Sequence, residues 1–80
     1  MNDRDIHGHI EELVAEEHRL LEALEAKSLG QQERKRLEEV QVQLDRYYDL
    51  LRQRRAREEF EQDPSTAALR PAETVERYLQ

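Results

Sequence analysis

From residue 3 to residue 28 the apolar side chains Ile6, Ile10, Leu13, Val14, Leu20, Leu21 and Leu24 recur in steps of three and four. That period places them on one stripe of an α-helix. Asn2 or Asp3 can cap its start, and Asp5 suits the positive end of the helix dipole. Gly8 lies inside the pattern and weakens the first turns by about 1 kcal/mol relative to alanine. The period breaks at Ser28-Leu29-Gly30-Gln31-Gln32, where Gly30 can take the left-handed conformation that ends a helix. A second helix is predicted over residues 32–61. Its Leu37, Val40, Leu44, Tyr47 and Leu51 alternate three and four apart, an a/d seam that Tyr48 widens. Asp63-Pro64 should stop it, because the residue before a proline disfavours helical backbone.

The fold class that follows is all-α. Residues 1–62 make an antiparallel, coiled-coil-like two-helix hairpin, and residues 63–80 a tail. In the tail, Asp63-Pro64-Ser65 reads as a cap followed by proline at the first helical position. Pro71 opens a short helix over residues 71–79, with Val75, Tyr78 and Leu79 on one side. Folding the hairpin about Gly30 brings Leu24 to Leu37, Leu13 and Val14 to Tyr47 and Tyr48, and Ile10 to Leu51. Glu17 interrupts the first seam, facing Leu44 and Asp45 with His18 beside it. Two helices cover each other incompletely, and small scaffolds need a staple. A homodimer forming a four-helix bundle is the simplest closed solution.

Composition changes this picture at three points. The chain has 80 residues, of which 40% are charged and 36% apolar, with four aromatic side chains. Many charges and few aromatics would suit disorder, but the abundant Leu, Glu, Arg, Gln and Ala are strong helix formers. There is no cysteine, so neither a disulfide framework nor thiolate chemistry is available. No apolar run approaches the roughly 18 residues of a membrane span, and the first residues carry no secretory h-region. The expectation is a cytoplasmic protein without a membrane segment. A net charge of −6 works against general attraction to nucleic acid.

Two clusters are candidates for chemistry. Arg52, Arg54, Arg55 and Arg57 form a basic patch that could hold phosphates. Equally, they suit the C-terminal end of a helix, and Arg54 and Arg55 come level with Asp3, Asp5 and His7. The preferred reading is structural, and nucleic acid is the disfavoured partner. Glu17, His18, Asp45, Tyr47 and Tyr48 form a candidate polar layer that sets helix register. A di-iron bundle would need Glu-x-x-His on the helix, but residue 15 is Ala15, so no metal or other cofactor is expected. His7 and His9 point to different helix faces. No catalytic residue is assigned: there is no Ser–His arrangement and no glycine-rich phosphate loop, and the expectation is that this is not an enzyme.

One resemblance adds to this. Glu16-Glu17-His18-Arg19-Leu20, Leu44-Asp45, the run Asp49-Leu50-Leu51-Arg52-Gln53-Arg54-Arg55-Ala56, Asp63-Pro64, Arg70-Pro71, Val75-Glu76 and Tyr78-Leu79-Gln80 together resemble the DUF2630-like family of small, mainly actinobacterial proteins of unknown function. The likeness runs over nearly the whole chain. Tyr47-Tyr48 stands where that family would suggest Cys-Trp, and Phe60 where a small residue is common. The resemblance implies a helical hairpin in a bacterial cytoplasm and supplies no activity. The functional expectation is a structural or adaptor module, a homodimer that binds an unidentified protein. The alternative is a small nucleic-acid-binding regulator using the arginines of residues 52–57.

Overall fold

The first helix starts with a capping box. In the computed structural model, which describes residues 1–79, the Asn2 side chain accepts from the Asp5 N–H at 2.8 Å. The Asp5 carboxylate returns the bond to the Asn2 N–H at 3.4 Å. Two of the amide donors orphaned at a helix start are thereby satisfied. Helix α1 spans Asp3–Glu25, α2 spans Gln31–Glu59, a 3-10 turn spans Pro64–Thr66, and α3 spans Ala72–Leu79. No strand occurs among the described residues. Gln80 and the side chain of Leu79, both part of the predicted tail, lie outside them.

Both long helices end in the same way, and neither uses glycine. After α1, Ser28 N–H reaches Ala23 O at 2.9 Å and Lys27 N–H reaches Leu24 O at 3.0 Å. After α2, Gln62 N–H reaches Arg57 O at 2.7 Å and Glu61 N–H reaches Glu58 O at 3.1 Å. These crossed bonds define Schellman motifs. The left-handed residues are Lys27, at φ 57°, and Glu61, at φ 56°. Gly30, predicted to take that conformation, is instead extended at φ −76° and caps the start of α2. The first helix therefore stops at Glu25 rather than near residue 28. The second stops at Glu59, ahead of the proline expected to end it.

Earlier termination recentres the hairpin and corrects its register. His9 stacks on Tyr47 with ring centroids 5.2 Å apart, whereas Arg54 keeps the expected level and meets Asp3 at 2.5 Å. Glu16 receives two hydrogen bonds from Arg36, at 2.6 and 2.7 Å. The pairs predicted about Gly30, such as Ile10 with Leu51, are displaced by about one helical turn. Leu24 is 39% exposed. The core is formed by Ile6, Ile10, Val40, Leu44 and Leu50.

The tail lies on the other side of α2. Leu37, Val40, Leu44 and Tyr47 point toward α1, while Arg46, Asp49 and Gln53 fall on nearly the opposite face of the helix. The latter three bond to the tail. Val75 of α3 is fully buried, and Ala67 and Leu69 pack on the hairpin core. Among the described residues α3 touches α2 and not α1. The molecule is thus layered, with α2 in the middle. Tyr78, predicted to share a side with Val75, is 61% exposed; with Ala72 and Glu76 half-buried, α3 faces α2 through positions 72, 75 and 76.

The two left-handed caps yield a stability prediction. A non-glycine residue there costs roughly 1–2 kcal/mol, of which glycine's extra unfolded-state entropy offsets roughly 0.4–1. Lys27→Gly and Glu61→Gly should each stabilise the chain by about 0.5–1 kcal/mol, read from urea unfolding midpoints. Gly30→Ala, at an extended position, should give no such gain.

Candidate functional site

Asp49 is the most deeply buried charged residue, with 1% of its surface exposed. A lone carboxylate there would be strongly unfavourable, and two side chains donate to it. Arg70 engages both of its oxygens, through Nε at 2.8 Å from Oδ2 and through Nη2 at Oδ1. Gln53, one helical turn on, donates to Oδ2 at 2.9 Å and also to the Ala68 carbonyl at 3.0 Å. Arg46 donates to the carbonyl of Arg70 at 2.9 Å. The result is a clamp. The face of α2 holds the tail by one bidentate ion pair and two bonds to tail carbonyls, the charge-assisted kind being the stronger. Arg70's hydrogen bonds hold the Asp49 carboxyl below the usual aspartate range, against the opposing effect of burial and with help from Gln53.

A second anchor lies at the end of α2. Arg54, only 8% exposed, donates to Asp3 at 2.5 Å, to the Met1 carbonyl at 2.9 Å and to the Pro64 carbonyl at 3.1 Å. One guanidinium thus ties the start of α1, the end of α2 and the 3-10 turn. Asp63 caps that turn, accepting from the Ser65 N–H at 2.9 Å and the Ser65 hydroxyl at 2.7 Å. These bonds lower its pKa, the hydroxyl contributing most. Arg57 donates to Thr66 Oγ1 at 2.9 Å. Arg52 sits over the Tyr78 ring at 5.7 Å, with Arg70 at the same distance. Of the four arginines of the candidate basic patch, Arg55 alone has no such partner among the described residues. The patch is mostly a fastening.

The five residues of the candidate polar layer are not brought together. His18 is exposed and pairs along its own helix with Glu22 at 3.1 Å. Tyr47 stacks on His9, and Tyr48 is 43% exposed. Asp45 lies on the tail side, against Glu76 of α3. Glu17 is half-buried, and no hydrogen bond joins it to a tyrosine hydroxyl among the described residues. The shifted register accounts for this, because it moves α2 by about a turn past the level at which Glu17 would meet Tyr47. No group of three or more His, Cys, Asp or Glu side chains placed to hold a metal ion occurs among the described residues.

Asp45 and Glu76 make an unfavourable contact inside the clamp region. One Glu76 carboxylate oxygen is buried with no donor. The adjoining Asp45 carboxyl raises the Glu76 pKa, and burial adds to the rise. Pairing two carboxyls favours a shared proton.

The other flank of the hairpin is open. Tyr47 and Leu13 line one side of the molecule together with His9, Glu16 and Arg36. Val14 and Tyr48, each one residue on, fall on the opposite side. Val14, Leu21, Leu24 and Tyr48 are between 38% and 43% exposed. Val14 lines a shallow depression there with Ile10 and Ala15.

A helical hairpin with a clamped C-terminal tail and an uncovered apolar flank is thus the class of protein that fold and site define. The chain belongs to the family described as "Protein of unknown function (DUF2630)", which it matches over residues 2–80. It is 40% identical over 77 residues to "Uncharacterized protein Rv0898c" of Mycobacterium tuberculosis (strain ATCC 25618 / H37Rv) and, equally, to "Uncharacterized protein Mb0922c" of Mycobacterium bovis. Each match covers 95% of this chain and 88% of the relative. No solved structure matches the chain. No helix among the described residues is long and apolar enough to cross a membrane.

Two predictions follow from the anchors. Arg54→Ala should cost about 2–3 kcal/mol in urea unfolding, because it strips a buried cation from three acceptors. Arg55→Ala should stay within about 0.5 kcal/mol of the parent. Equal effects would contradict the assignment of Arg54 as the anchor.

The tail should also respond to pH with two opposite limbs. Glu76 has a raised folded pKa, so its contribution to docking is complete below about 4.3 and is lost as pH rises through the folded value. Asp49 has a lowered folded pKa, so its contribution is present above about 3.9 and is lost as pH falls through the folded value. Amide exchange in α3 should therefore be slowest, after correction for intrinsic rates, near pH 4. Glu76→Gln should remove the neutral limb and leave the acid one.

Proposed function

We propose that this protein is a non-enzymatic helical module, structural or adaptor-like, that works as a homodimer and presents helical surface to a protein partner. The observation that carries this reading is the open flank with Val14, Leu21, Leu24 and Tyr48. Four large apolar side chains on one side of a small helical protein, rimmed by charged residues, are the kind of surface that marks a contact site. Two hairpins joined there make a four-helix bundle, which covers what a single hairpin leaves wet. The arginines speak for protein rather than nucleic acid: Arg54 and Arg57 are tied within the chain, and the net charge is −6. A chain without cysteine is at home in a reducing cytoplasm.

Sedimentation equilibrium at micromolar concentration tests the reading. The parent chain should have the mass of a dimer. Leu21→Glu should have the mass of a monomer with its helical circular dichroism retained, since Leu21 lies outside the intrachain core. A parent chain that stays monomeric and unfolds cooperatively at all concentrations would refute self-association.

A further inference from the structure

We infer that the face of α2 beneath the tail is a docking face for a segment of another protein, and that the chain's own tail occupies it as a displaceable stand-in. The segment that displaces the tail carries arginine in the place of Arg70, an aliphatic side chain five residues on, and a cation or an amide six residues on. This face is separate from the open flank, and the inference does not depend on self-association.

The fit is good at one end. Arg70 engages both oxygens of Asp49, and a bidentate pair of that kind asks for arginine rather than lysine. Gln53 donates to the carbonyl of Ala68 and Arg46 to the carbonyl of Arg70. Those two bonds hold backbone and ask nothing of the side chains. Val75, five residues after Arg70, is fully buried, which asks for an aliphatic side chain. Any segment with these features can be held as the tail is.

The fit is poor at the other end. Glu76 Oε1 is the one buried side-chain oxygen or nitrogen without a partner among the described residues, and it lies where Glu76 meets Asp45. Nearby donors are engaged elsewhere. Arg46 holds Gln43 and the Arg70 carbonyl, while Arg70 and Gln53 serve Asp49. Buried polar groups in native structures find partners, so this contact marks a mismatch between tail and face. A proton shared with Asp45 would answer it only in acid. Lysine, arginine or glutamine at this position would donate to Asp45 at any pH. The tail is also easily spared. Helix α3 touches α2 and not α1 among the described residues, and an element held so locally opens before the hairpin does.

Two labelled peptides of residues 63–80, one with the parent sequence and one with Glu76→Lys, test this by fluorescence anisotropy at neutral pH. A tethered tail competes at a high effective concentration, so the acceptor is the full chain with Arg70→Ala, whose own tail has lost its ion pair. The Glu76→Lys peptide should bind this acceptor about tenfold more tightly than the parent peptide. Adding Asp49→Asn to the acceptor should weaken both peptides about tenfold. No binding to an acceptor of unchanged helicity, or equal affinity of the two peptides, would overturn the inference. Amide exchange supplies a second measurement that does not use the Arg70→Ala chain. With Glu76→Lys in the full chain, exchange in α3 should slow about tenfold at neutral pH, while α1 and α2 keep their rates. Unchanged or faster exchange in α3 would remove the mismatch, and the inference with it.

Discussion

A carboxylate buried on a helix face has to be met by donors, and in this chain the donors for Asp49 come mainly from beyond the end of the helix. Arg70, 21 residues further on, supplies both bonds of a bidentate pair. Gln53 supplies a third bond and at the same time holds the carbonyl of Ala68. The path of the tail is set by this requirement. Once Arg70 reaches Asp49, the segment before it must cross α2 near Gln53, where Ala67 and Leu69 come to rest on the core. Pro71 then starts α3 at the place from which Val75 can be buried. Little hydrophobic surface is available to direct so short a helix. The ion pair gives its position, and Val75 adds the apolar contact.

This makes α2 a helix with two working faces, and the consequence reaches the rest of the molecule. A surface helix needs one apolar stripe. Here α2 has a seam toward α1 and a mainly polar, hydrogen-bonding face toward the tail. The tail packs on α2 and not on α1, so it leaves Val14 and Leu21 of α1 exposed. Arg54 reinforces the arrangement at one end by joining the two chain segments that would fray most readily, the start of α1 and the 3-10 turn. Side-chain bonds to backbone carbonyls recur in both anchors. They fix chain direction as well as proximity, which apolar contact alone does not.

The helices were legible because their signals are local. Steps of three and four at Leu37, Val40, Leu44, Tyr47 and Leu51 identify a seam without reference to anything distant. The termini were harder. Gly30 is the conformationally free residue of the break, yet the left-handed turn falls on Lys27, where hydrogen bonds to Ala23 and Leu24 close the helix first. That small displacement shifts every cross-helix pair, and the polar layer drawn through Glu17, Asp45 and Tyr47 dissolves with it. Asp49 was not legible as a site. A charged residue off the seam reads as solvated unless its partner is known, and Arg70 lies 21 residues away with no periodicity linking the two. The available signal was apolar: Leu50 lies off the a/d seam yet is 3% exposed, and an apolar residue there indicates that α2 is covered on more than one side.

The same reasoning separates the arginines from Glu17. Buried polar groups in native structures find partners, so an unpaired one directs attention to what is missing. Arg54 was ambiguous in the sequence, and it proves to be saturated by three acceptors. Its charge is internal business and cannot serve a ligand without undoing the ends of two helices. Glu17 is the reverse case. It interrupts an apolar row, is half-buried, and lies among the side chains that the hairpin leaves uncovered. Its carboxylate oxygens still reach water, so Glu17, unlike Arg54, needs no partner within the chain, and the stripe it shares with Val14, Leu21 and Leu24 is surface that the hairpin leaves exposed.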